Sequence, residues 1–170
     1  METFVNKVAE SGIITLDLTN YVPKEDTIAG FDLKPFLFRE MILREKDYRE
    51  ALKQHDWTAY QDKHVHIYCS VDAIIPMWAN MLAAVNLNGI TRSVFYGTRE
   101  AFESHLTLRN MEQNIDAAEY TDKRVVIKGC ADVAAPAEAY VAISALLQPH
   151  VKSLMYGEPC STVPVFKKKS

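Results

Sequence analysis

Three cysteines, Cys69, Cys130 and Cys160, are the residues of this 170-residue chain best suited to chemistry. Each lies just past a short β-branched or apolar run, in "HVHIYC", "RVVIKGC" and "SLMYGEPC". Thiolate sulfur is a soft donor, so three thiols meeting at one point would hold zinc or an iron–sulfur cluster. A fourth donor would come from Asp72, Asp132, Glu158 or His66, or the position would stay open to water or a partner. There is no C-x-x-C pair, so the donors would arrive from separate loops. Two alternatives stand beside a metal centre. One is a thiol enzyme, or a sulfur or acyl carrier, with Cys130 or Cys160 as the single nucleophile. The other is a non-catalytic protein-interaction module in which the thiols are inert filler.

Other polar residues carry weaker expectations. Asp72 and Asp132 each stand four residues before a proline, a pattern that reads as a helix N-cap. His64 and His66 share one face of a strand, and a packed, satisfied histidine is the expectation for both. His55 and His150 read as surface or cap residues, and Trp57 and Trp78 as core anchors. No G-x-G-x-x-G, P-loop, G-x-S-x-G or H-E-x-x-H motif occurs.

The elements that must position these side chains are announced by a repeat. Residues 38–97 laid over 98–157 without a gap give sixteen identities, where chance supplies roughly four in sixty. Twelve fall between Tyr60 and Gly97, including Tyr60/Tyr120, Asp62/Asp122, Pro76/Pro136 and Gly97/Gly157. An internal duplication is the expectation. In each copy a strand ("HVHIY", "RVVIK") leads to a helix ("PMWANMLAAVNL", "PAEAYVAISALL") and then to a second strand ("RSVFYG", "KSLMYG"). "TREAFESHLTLRNMEQN" and "FREMILREKDYREALKQ" read as further helices, "GIITLDL" as a strand, and residues 20–30 as irregular.

Strands alternating with helices predict an α/β fold: one domain over residues 1–170, with a mostly parallel sheet and helices on its faces. In one such sheet Cys69, Cys130 and Cys160 would share the carboxyl edge. Open α/β sheets bind ligands there, and helix N-termini there favour thiolate. Cys69 aligns with Gly129 and Cys130 with Ser70, so the copies reach a thiol in different registers.

The stretches "REKDYREALKQHDW", "CSVDAIIPMWANML", "VIKGCADVAAP" and above all "KSLMYGEPCSTVP" resemble a bacterial family known as domain of unknown function 2480, from about residue 5 to 168. Cys69, Cys130 and Cys160 match cysteine-bearing motifs of that family. The resemblance implies an accessory role in sulfur-mobilising iron–sulfur cluster assembly, with the assembly proteins as partners.

Bulk properties narrow the classes further. A net charge of −3 and a pI near 5.9 leave no basic field for nucleic acid or anionic membrane. No apolar run is long enough to span a bilayer, and the opening "METFVNKVAESG" is too polar for a signal peptide. An odd number of cysteines without an export signal points to reduced thiols in the cytoplasm.

Overall fold

A computed structural model describes residues 12–128, 134–158 and 160–169. The fold is mixed α/β with mostly parallel strand pairs. Among the described residues no helix is long and apolar enough to cross a membrane. The strands do not form the single sheet expected. They make a four-stranded and a three-stranded sheet plus a two-stranded ribbon, and the chain divides into two compact units.

One unit is Pro23–Glu103. Its sheet joins β2 (Ile28–Asp32) to β5 (His64–Tyr68) and β6 (Ser93–Tyr96), all parallel. Between β2 and β5 lie the ribbon strands β3 (Leu37–Phe38) and β4 (Ile42–Leu43), then α1 (Glu45–Gln54). Helix α2 (Met77–Leu87) makes the crossover from β5 to β6. Strand alternation turns Val65 and Ile67 towards one face, where they join Phe31, Tyr48, Leu52, Ala79, Ala83 and Leu87 in a buried core.

The other unit takes its residues from the chain up to Val22 and from Ser104 onward. Its sheet runs β1 (Ile13–Leu16), β7 (Arg124–Ile127), β8 (Ser153–Glu158), β9 (Ser161–Lys167), the last pair antiparallel. Helix α3 (Arg99–Asn114) starts in the first unit and supplies Met111 to the core of the second. Helix α4 (Ala137–Leu147) links β7 to β8 and buries Ala139, Ile143 and Leu147 against Val125, Ile127 and Leu154.

Matching details recur sixty residues apart. Asp56 and Asp116 each accept the amide of the residue two ahead, capping short turns that end at Tyr60 and Tyr120. Asp62 and Asp122 both take left-handed backbone, φ 58° and 57°. Their amides donate to Ile90 O and His150 O at 3.0 and 2.9 Å.

Three local expectations are corrected, and one strand is added. Residues 37–43 form the hairpin β3–β4 rather than helix, because Arg39 and Glu40 turn the chain through left-handed backbone, φ 52° and 57°. Ile28–Asp32, inside and just past the stretch read as irregular, is a strand. Ser161–Lys167 pairs with β8 as a further strand. Asp72 does not cap α2, which begins at Met77 with Pro76 as the preceding residue and no side-chain cap. Asp132, read the same way, lies outside the described residues.

Candidate functional site

Of the three thiols expected to meet, the two described ones fall one in each unit. Cys69 follows β5 in the Pro23–Glu103 unit, half-buried against that unit's core. Cys160 is exposed in the turn between β8 and β9 of the other unit. Cys130 lies outside the described residues. Cys69 and Cys160 therefore follow strands of different sheets, and α2 starts well beyond Cys69 rather than beside it. Among the described residues no three His, Cys, Asp or Glu side chains are grouped as a metal ion requires.

A different site stands at the carboxyl edge of the three-stranded sheet. It is a cleft of about 630 Å³ lined by Gly30, His66, Tyr68, Cys69, Tyr96 and residues 97–100. Strand β5 builds it by alternation: Val65 and Ile67 face the core, so His66 and Tyr68 face the opposite side. His66 is only 7% exposed, and its ring lies 4.8 Å from that of Tyr68, nearly parallel at 22°.

The histidine is polarised by one bond. Nδ1 lies 3.0 Å from Gly97 O. A carbonyl can only accept, so Nδ1 carries the proton and, in the neutral ring, Nε2 carries the lone pair. No group among the described residues bonds Nε2, which lies at the cleft wall beside Gly30. The expectation of a packed histidine holds for one nitrogen and fails for the other. That Nε2 has room at all depends on Gly30, where a Cβ would sit 3.0 Å from it and 2.9 Å from Tyr68 Cε1.

Gly97 and the start of α3 close the opposite wall. Gly97 adopts φ 142°, which directs its carbonyl to His66, and a side chain there would strike the Phe95 ring at 2.9 Å. Thr98 Oγ1 accepts the Ala101 amide at 3.2 Å and caps the first turn. Glu100 is held below the usual carboxylate range first by its own backbone amide and by the Thr98 hydroxyl, then by the nearby charges of His66 and Arg99. Arg99 is clamped: Nε donates to Glu103 at 2.7 Å and Nη2 to Glu25 O at 3.4 Å, with the Glu25 carboxylate 3.9 Å away.

At the far end of β2, Asp32 accepts the Ser70 hydroxyl at 2.6 Å, the Ser70 amide at 3.0 Å and the Lys34 amide at 2.9 Å. Burial pushes this carboxyl up, but those bonds outweigh it and hold the group below its ordinary value. The turn carrying Cys69 and Ser70 is thereby tied to β2.

The other unit is built differently at the matching place. Val126 stands for His66, and β8 runs on into the β8–β9 hairpin where β6 gives way to α3. One pocket on its sheet, of about 390 Å³, is lined by apolar groups such as Ile127, Val141, Leu154 and Val165.

Gly30, Thr98, Arg99 and Glu100 were not singled out from sequence. "GTRE" before an amphipathic run is a helix-start signal that points to them. Arg99 and Glu100 are also identical to Arg39 and Glu40, yet the earlier pair occupies the β3–β4 turn and the later pair opens α3.

No curated protein and no solved structure matches the chain. Residues 2–168 match the family described as protein of unknown function (DUF2480), and the chain belongs to that family.

Proposed function

We propose that this chain binds a small polar molecule in the cleft of its Pro23–Glu103 unit and exchanges a proton with it through His66. The observation that carries this is a nine-tenths-buried imidazole held by Gly97 through Nδ1, with Nε2 unbonded at the wall of a cleft. Nε2 opens on the cleft rather than into the core, so a ligand or water can complete it there. Carboxyl edges of parallel sheets are also where α/β proteins place ligands.

We further propose that the two strand–helix–strand segments descend from one duplicated segment, the second having kept the scaffold and lost the site. The sixteen identities and the recurring Asp caps and left-handed turns support this.

Nitrogen-15 spectra of the His66 ring test the proposed site. The neutral protein shows the Nδ1–H tautomer, and compounds from a panel of small polar molecules that bind shift Nε2 together with the Gly30, Gly97 and Thr98 amides. An Nε2–H tautomer, or binding that moves only residues elsewhere, overturns it.

A second proposal keeps the thiols: zinc or iron–sulfur binding by Cys69, Cys130 and Cys160 in cluster assembly. It is favoured by Cys69 and Cys160 both being free thiols at strand ends, one of them in the cleft wall. Protein purified without oxygen from iron-replete cells then carries stoichiometric metal that Cys69→Ser removes, and metal-free protein overturns it.

A further inference from the structure

The cleft's polar groups differ in what they can still accept or give. The Gly97 carbonyl is taken by His66, and the Thr98 hydroxyl accepts from Ala101 while bonding Glu100. Arg99 spends Nε and Nη2 on Glu103 and Glu25. Two acceptors still face the cleft, the Nε2 lone pair and the exposed Glu100 carboxylate. Around the start of α3 the carboxylates of Glu25, Glu100 and Glu103 gather about Arg99, and exposed Glu100 puts a negative charge on the cleft wall. The walls are flat as well as anionic, with the stacked His66 and Tyr68 rings on one side and Tyr96, 63% exposed, on the rim.

From these features we infer that the cleft selects a small, flat organic cation bearing N–H donors, such as an amidine or a protonated aromatic amine. This rests on the cleft being the functional site. Such a ligand donates one N–H to His66 Nε2 and others to the Glu100 carboxylate, while its face lies against tyrosine rings that attract cations. A carboxylate or phosphate ligand would meet the Glu100 carboxylate, while Arg99 already gives Nε to Glu103 and one Nη2 hydrogen to Glu25. The unbonded Nε2 of His66, a side chain nine-tenths buried, is what separates this site from a merely acidic helix start.

Three probes of one shape and different charge decide it: benzamidine, benzyl alcohol and benzoate, titrated into the full-length protein with amide and imidazole NMR shifts as the readout. Benzamidine binds most tightly and shifts Gly30, Gly97, Thr98 and His66 Nε2. Glu100→Gln weakens it about tenfold or more, as loss of a charge-assisted bond does. Benzoate leaves those resonances still. If benzoate or benzyl alcohol binds in the cleft as tightly as benzamidine, the cation inference falls and the cleft stands. If benzamidine binds but shifts only residues elsewhere, both fall. If no probe binds, the cation inference falls, and the tautomer of His66 still decides the cleft separately.

Discussion

Gly30→Ala puts the geometry of the cleft to the most direct test. The added Cβ would lie 2.9 Å from Tyr68 Cε1, 3.0 Å from His66 Nε2 and 3.4 Å from His66 Cε1. Both rings must move, yet they are stacked on each other and His66 is tethered to Gly97 O. Overpacking of this kind costs about 1–3 kcal/mol, and loosening the Nδ1 bond about 0.5–1.5 kcal/mol more. Replacing a strand glycine returns about 0.5–1 kcal/mol through the unfolded chain. The net is a loss of about 0.5–4 kcal/mol, or about 1–16 °C in the thermal midpoint for a chain of this size. Calorimetry gives the midpoint, and imidazole nitrogen-15 shifts report whether the ring has moved. An unchanged or raised midpoint with an unmoved His66 ring would refute the geometry outright.

Three further outcomes follow from other features. Asp62→Gly and Asp122→Gly each relieve left-handed backbone and raise stability by up to about 1 kcal/mol; denaturant midpoints of opposite sign would contradict a shared turn. Tyr48 is fully buried with its hydroxyl donating to Ala79 O at 3.2 Å, and burial pushes its ionisation well above the ordinary value. The stability owed to the neutral phenol is thus complete below about pH 10 and declines as pH rises beyond it. Tyr48→Phe costs about 0.5–1.5 kcal/mol at pH 8 and loses less between pH 8 and 11 than the wild type, and an equal loss would exclude Tyr48 as the cause. Iodoacetamide labels exposed Cys160 several-fold faster than half-buried Cys69 by peptide mass analysis, and the reverse order would mark Cys69 as an activated nucleophile.

Elements whose signals are local could be read directly. β5, β6, β7, α2, α3 and α4 declare themselves through β-branched runs and long apolar periodicity, and the sixty-residue offset ties their bounds together. The hairpin at 37–43 was hidden because Phe38, Met41 and Ile42 mimic a helical face, while the deciding fact is left-handed backbone at Arg39 and Glu40. β2 was hidden by the acidic turn before it. Yet "LDLTN" and "FDLKP" form a second short repeat, Asp17-Leu18 and Asp32-Leu33, with both leucines fully buried and both aspartates accepting the amide two residues on. That fifteen-residue offset is invisible to a slide of sixty. The cleft was hidden for a related reason: His66 was legible as packed, but its second nitrogen depends on Gly30 and Gly97, which come from other strands.

The division of the two N-terminal strands has a consequence for synthesis. β2 finds its partner β5 within the continuous stretch Pro23–Glu103, whereas Ile13 of β1 pairs with Arg124. On a ribosome the inner segment can complete its sheet while β1 still waits for β7 to emerge. Closing that long loop carries an entropic cost that an already folded, compact insert would shorten. The molecule thus has an assembly order written into its connectivity: the cleft-bearing sheet can be completed first, and the sheet of the other unit closes last.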